Sequence, residues 1–191
     1  MSYWSYQSYM TYQAIIPAHG GYRKLMSYQM ATIVADYTHN FIPRYIDQKS
    51  RTRDQMEQAA RSGKQNIVEG SMASGTSKKT ELKLLGVSRA SFEELLADYE
   101  DFLRQNNLEI WPKFSPEVLK IRQLSYMSNK SYTTYMSYLN SPEPAANCAI
   151  CLIHQTNFLL DRQIKSVEQE FLTQGGLTER LYNARTKYKS Y

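Results

Sequence analysis

Cysteine is nearly missing from this chain, with Cys148 and Cys151 the only two among 191 residues. That is too few for a disulfide framework and fits a reducing cytoplasm. No hydrophobic run approaches the roughly 18 residues of a membrane span, so a membrane partner is not expected. Residues 1–16 hold no basic region followed by an apolar core, and no secretory signal is expected. Glycine is sparse as well, and none opens a phosphate-cradling loop: Gly70 and Gly75 lack a following Lys-Ser or Lys-Thr. His19 and His39 stand apart from any Ser, Cys or Asp arrangement of a catalytic triad. These gaps point away from an enzyme and from a bound cofactor.

The one constellation with a ligand pattern is Cys148-x-x-Cys151 followed by His154. Three candidates fall short of the four that structural zinc requires, and all three fit inside an apolar helix. An enzyme alternative, a metal-dependent hydrolase, would have to use these three residues. Asp98, Glu100 and Asp101, beside Glu93 and Glu94, read as an acidic surface rather than as paired catalytic acids.

What is present is helical periodicity. From Arg51 to Thr76, Met56, Ala59, Ala60, Gly63, Ile67 and Gly70 fall on one stripe of a helix, and most of them are small. Gly63 costs about 1 kcal/mol of helix propensity relative to Ala, so close packing is expected to compensate for it. The opposite face carries Arg53, Arg61, Lys64 and Gln65. An earlier helix is predicted from about Tyr22 to Pro43, where the proline ends or bends it. Asp47 or Ser50 can cap the helix that follows.

Thr76 or Ser77 can cap a third helix whose stripe runs Leu82, Leu85, Phe92, Leu96, Tyr99 and Leu103, with Arg89 in the missing slot. It ends near Asn106-Asn107. Ser115-Pro116 opens a short helix to about Tyr126, and Tyr132, Tyr135, Met136 and Leu139 support another brief piece. Ser141-Pro142-Glu143-Pro144 launches the longest helix. There Ile150, Ile153, Asn157, Leu160, Ile164, Val167 and Phe171 form one stripe, while Cys148, Cys151, Leu152, Phe158 and Leu159 supply a second apolar side. One side can pack within the chain; the other is left for a neighbouring subunit or the crossover segment. Ile150, Ile153, Asn157, Leu160 and Ile164 are the oligomer-interface candidates, with a buried Asn157 fixing register.

The pattern predicts an all-α, up-and-down four-helix bundle with a long helical crossover between helices three and four and a short helical suffix. Residues 1–20 read as a Tyr/Ser-rich flexible tail, 21–175 as the bundle with its crossover at 107–143, and 176–191 as a basic suffix. The Ser-Tyr pairs of the tail either stack on bases or on a partner, or are a short-repeat expansion without a folded role, and the second reading is preferred.

The net charge is +5, a mild hint of a polyanion partner. From Arg44 to Thr80 eight basic residues face four acids, whereas from Glu81 to Arg104 three face six. Arg51, Arg53, Arg61, Lys64, Lys78 and Lys79 are therefore the candidate RNA or DNA contacts; a solvated, charge-mixed exterior is the plain alternative.

The run QAARSGKQNIVEGS, its Ser/Gly/Thr turn and ELKLLGVSRASFEELLADYEDFL resemble the bacterial four-helix-bundle family whose founding members are encoded in intervening sequences of large-subunit ribosomal RNA genes. The subgroup with a C-terminal four-helix-bundle suffix is the nearest likeness, through ICLIHQTNFLLDRQIK and GGLTERLYNAR. Asn66, Ile67, Glu69 and Gly70 are the motif's most specific residues. A related branch, the accessory variability determinants of diversity-generating retroelements, forms homopentamers and binds a reverse transcriptase and nucleic acid. The resemblance implies a non-enzymatic, basic homo-oligomer, a pentamer by analogy, with a reverse transcriptase or RNA among its expected partners.

Overall fold

Serine, proline and glycine cut the chain into helices at the places where a side-chain oxygen or a turn can take over from the backbone ladder. The computed structural model describes residues 15–189. Of these, 78% are helical and none lies in a strand. The α-helices are α1 (Met26–Tyr45), α2 (Thr52–Ala73), α3 (Lys78–Gln105), α4 (Pro116–Leu124), α5 (Pro142–Gln174) and α6 (Leu177–Lys189), with short 3-10 helices at Tyr22–Lys24 and Tyr132–Asn140. Residues 1–14, most of the Tyr/Ser-rich stretch expected to be a tail, lie outside the described residues.

Helix starts follow the expected chemistry. Ser77 accepts a hydrogen bond from the Thr80 amide at 3.1 Å, and Ser115 accepts one from the Val118 amide at 3.3 Å. Each satisfies one amide that a first turn leaves without a partner. The start of α2 differs from the expected Asp47 or Ser50 cap: its N-cap is Arg51, with no side-chain cap hydrogen bond, and the Ser50 hydroxyl accepts from the Thr52 amide at 3.2 Å within the preceding turn. The first helix departs from expectation at both ends. Leu25 is extended, which separates the Tyr22–Lys24 turn from α1. Pro43 sits inside α1, and the helix runs on past it to Tyr45.

The small-residue stripe of α2 is buried throughout: Met56, Ala59, Ala60, Gly63, Ile67 and Gly70 all face inward. Gly63 meets the Phe92 ring of α3, and its carbonyl accepts a bond from the Ser88 hydroxyl at 2.7 Å. Ser88, fully buried, occupies the slot assigned to Arg89. Arg89 lies one residue round the helix, where it pairs with Glu93 and Asp161. A hydroxyl fits this seam because it hydrogen-bonds a backbone that approaches too closely for a larger side chain.

α1 packs on α2 and α5, and α3 packs on the same two helices. Phe41 of α1 reaches the Tyr99 and Phe102 rings of α3 across the centre, at 4.8 and 5.1 Å between ring centres. Burial of such rings contributes about 2–3 kcal/mol each. Two buried tyrosine hydroxyls here are satisfied: Tyr99 donates to Thr38 at 2.9 Å and Tyr37 of α1 to the Ala145 carbonyl at 3.1 Å.

One amide ties the start of the crossover to α5. Asn147, at the start of α5, accepts from the Trp111 backbone amide at 2.8 Å and donates to the Glu109 and Glu143 carbonyls at 2.8 and 3.0 Å. The Trp111 indole donates to Glu143 at 3.0 Å. At the other end, Gly175 takes a positive φ of 67° between α5 and α6. Arg180 of α6 donates to the Gly75 carbonyl in the α2–α3 turn at 3.1 Å, tying the suffix to the rest.

Candidate binding surfaces

The six cations proposed from sequence do not form one patch. Arg51 is exposed at the start of α2, in a shallow recess with Asp54, Gln55, Gln58 and, from α3, Glu94. Arg61 and Lys64 lie in a second recess between α1 and α2, with Asp36, His39, Glu57 and Gln65. Arg53 is half-buried and donates to the Ile46 carbonyl at 2.9 Å. Lys79 is exposed at the start of α3, close to the other end of α2, which is about 33 Å long.

Lys78 is a correction. It is 7% exposed and its ammonium lies 3.0 Å from Glu81 and 2.9 Å from Glu170. Burial works against its charge, but the bonds to Glu170 and Glu81 outweigh it and hold the pKa above the ordinary lysine value. For Glu81, burial raises the pKa and Lys78 offsets part of the rise. This lysine is a strut between α3 and α5 and cannot reach a phosphate backbone.

The motif residues divide by role. Ile67 is fully buried, and a Cβ on Gly70 would sit 3.5 Å from the Glu81 carbonyl oxygen, an ordinary contact. The Asn66 amide donates to the Ser62 carbonyl and hydroxyl, at 2.9 and 3.2 Å, and that hydroxyl meets Ser91 of α3 at 3.0 Å. Glu69 is exposed.

The proposed oligomer face is also corrected. Ile150, Ile153, Asn157 and Leu160 are buried inside the chain's own core, and Ile164 is half-buried against it. Asn157 donates to Glu93 of α3 at 2.8 Å, so the amide fixes the register of α5 against α3 within one chain. A stripe at core spacing is consumed by the first partner that folding supplies, which here is the same polypeptide.

Cys148 and Cys151 are buried while His154 is exposed, so the three do not converge. Burial pushes both thiols up from their ordinary range, which disfavours the thiolate a metal requires. Among the described residues no group of three or more His, Cys, Asp or Glu side chains is placed to hold a metal ion.

One concave site escaped the sequence reading. The second apolar side of α5 is only partly covered by the crossover, and a groove of about 790 Å³ remains between α5, the start of α1 and residues 110–130. Its apolar walls include Met30, Trp111, Val118, Ile150, Phe158 and Leu159, while Lys113, Arg122, Lys130 and Arg162 stand against a single acid, Glu100. The two-sided apolar pattern of α5 was the available signal. The cations were not legible as a group, because they come from three separate stretches of chain.

No protein-family model matches the chain, and neither the search of curated proteins nor that of solved structures finds a match. No helix of the described residues is long and apolar enough to cross a membrane.

Proposed function

We propose that the chain works by binding rather than by catalysis, as a cytoplasmic, oligomeric helical bundle associated with nucleic acid or acting as a scaffold. The carrying observation is the set of cations along the outside of α2: Arg51, Arg61 and Lys64 form no ion pair among the described residues, and neither does Lys79 at the start of α3, whereas Lys78, Arg89 and Arg104 are all paired. Unpaired cations are what a polyanion recruits when it releases its counterions. The order of contacts supports an up-and-down four-helix arrangement of α1, α2, α3 and α5. Ser27 meets Gln163 and Tyr37 meets Ala145, while Lys78 meets Glu170 and Arg89 meets Asp161, so α5 runs opposite to both α1 and α3.

With the sequence-proposed stripe internal, a subunit contact is left to the exposed apolar residues beyond the core. Phe171, Leu172, Leu181 and Tyr182, on the last turns of α5 and on α6, are 41%, 77%, 47% and 70% exposed. The same residues favour a second reading, an adaptor for a protein partner such as a reverse transcriptase, as the family resemblance implies. Labelled RNA or DNA titrated at rising salt separates the two: an adaptor shows no nucleic-acid binding even at low ionic strength. Light scattering that gives one subunit's mass at micromolar concentration would remove the oligomer.

A further inference from the structure

The groove beside α5 combines three features. It is concave and within the range of about 300–1,000 Å³ typical of small-molecule sites. Its mouth keeps large apolar side chains wet, with Ile110 52% and Phe158 61% exposed. Its charge is one-sided: Lys113, Arg122, Lys130 and Arg162 make no ion pair among the described residues, against the lone Glu100. Arg122, half-buried on α4, lines the groove beside Cys151, and no ion pair among the described residues takes up its guanidinium donors. Arg162 lies 5.9 Å from the centre of the Phe158 ring.

We propose that this groove holds a small amphiphilic anion, its apolar body against Met30, Ile150, Phe158 and Leu159 and its carboxylate or phosphate head on Arg122. From Ile150 to Arg162 the lining of α5 runs about 18 Å, so an elongated chain lies along it rather than across it. The complementarity is twofold. An aliphatic body removes water from side chains that the fold leaves uncovered, and an anionic head meets a fork-shaped cation in a partly dry setting, where a charge-assisted hydrogen bond is strongest. A nucleic-acid strand matches less well, because evenly spaced phosphates and polar bases leave the Met30, Val118 and Ile150 floor unfilled.

Trp111 in the groove wall is a built-in reporter, and Trp4→Phe makes it the sole tryptophan of the full chain. Dodecanoate and dodecyl phosphate, kept below micelle-forming concentration, are titrated against its fluorescence, with dodecanol, dodecyltrimethylammonium and oligothymidylate alongside. Saturable blue shifts are expected for one or both anions, the tighter one naming the head group. Arg122→Gln should weaken binding about tenfold. Phe158→Asp, at an exposed position that folding tolerates, should abolish it while circular dichroism stays unchanged. No shift with either anion overturns the proposal. So do equal binding of dodecanol or the cationic amphiphile, a shift produced by oligothymidylate instead, or wild-type affinity in folded Phe158→Asp.

Discussion

A Cβ built on Gly63 would lie 2.6 Å from Cζ of Phe92, so at this point α2 touches α3 backbone against ring. Alanine there would gain about 1 kcal/mol of helix propensity. Overpacking a fully buried ring costs about 1–3 kcal/mol, and Phe92 is 0% exposed. The clash wins. Gly63→Ala is expected to lower stability by about 1 kcal/mol in urea unfolding, and a more stable variant would show that the seam is looser than described.

Lys78 is expected to matter for stability and not for binding. Lys78→Ala leaves Glu81, 7% exposed, without its cation. Removing one partner of a fully buried pair costs about 3–5 kcal/mol. Glu170 is 38% exposed, so a loss of about 2 kcal/mol is expected here. Lys78→Met combined with Glu81→Gln should recover most of it, since neither residue then carries a buried charge. An unchanged melting temperature in Lys78→Ala would refute the strut.

Asn147 ties the crossover to α5 through two hydrogen bonds made by one side chain, one accepted from the Trp111 amide and one donated to the Glu109 carbonyl. Asn147→Ala leaves the Trp111 amide and the Glu109 carbonyl without their partner, at a cost of about 1–3 kcal/mol. Faster amide exchange should be confined to residues around 108–112. Protection equal to wild type in that segment would mean that packing alone holds it.

Asp98 supplies a pH dependence of known sign. Burial, followed by repulsion from Glu94 and Asp101, pushes its carboxyl up from 3.8 to about 6. A folded-state pKa above the unfolded one gives stability that is complete below about 4 and is lost as pH rises through 6. Asp98→Asn is therefore expected to be more stable than wild type at neutral pH by about 1 kcal/mol, after discounting for solvent screening. The gap should close near pH 4, the unfolded value. Unfolding curves whose difference is the same at both pH values would contradict this.

Much of the architecture was legible because local and global preferences coincide. The α2 stripe, the Ser115 and Ser141 starts and the Gly175 break all depend on residues close in sequence, and apart from the two ends of α1 the helices stand where they are expected. The site residues depend on neighbours distant in sequence. Lys78 at the first turn of a helix reads as solvated until Glu170, 92 residues away, is brought beside it. The Ile150 to Leu160 stripe reads as an interface only while its intrachain partners are unknown. Arg122 and Arg162 meet in one groove because the crossover folds back on α5, which no periodicity encodes.

The central claim is that unpaired cations on the outside of α2 recruit a polyanion, and Arg61 and Lys64, which share one recess, test it most directly. The measurement is fluorescence anisotropy of labelled single-stranded RNA, across a salt series, for wild type and for Arg61→Glu with Lys64→Glu. Wild type should bind at low salt with log affinity falling linearly in log salt. The double variant should bind about tenfold or more weakly, with the slope reduced by about one to two. Wild-type affinity in the variant, or binding indifferent to salt, would contradict the claim.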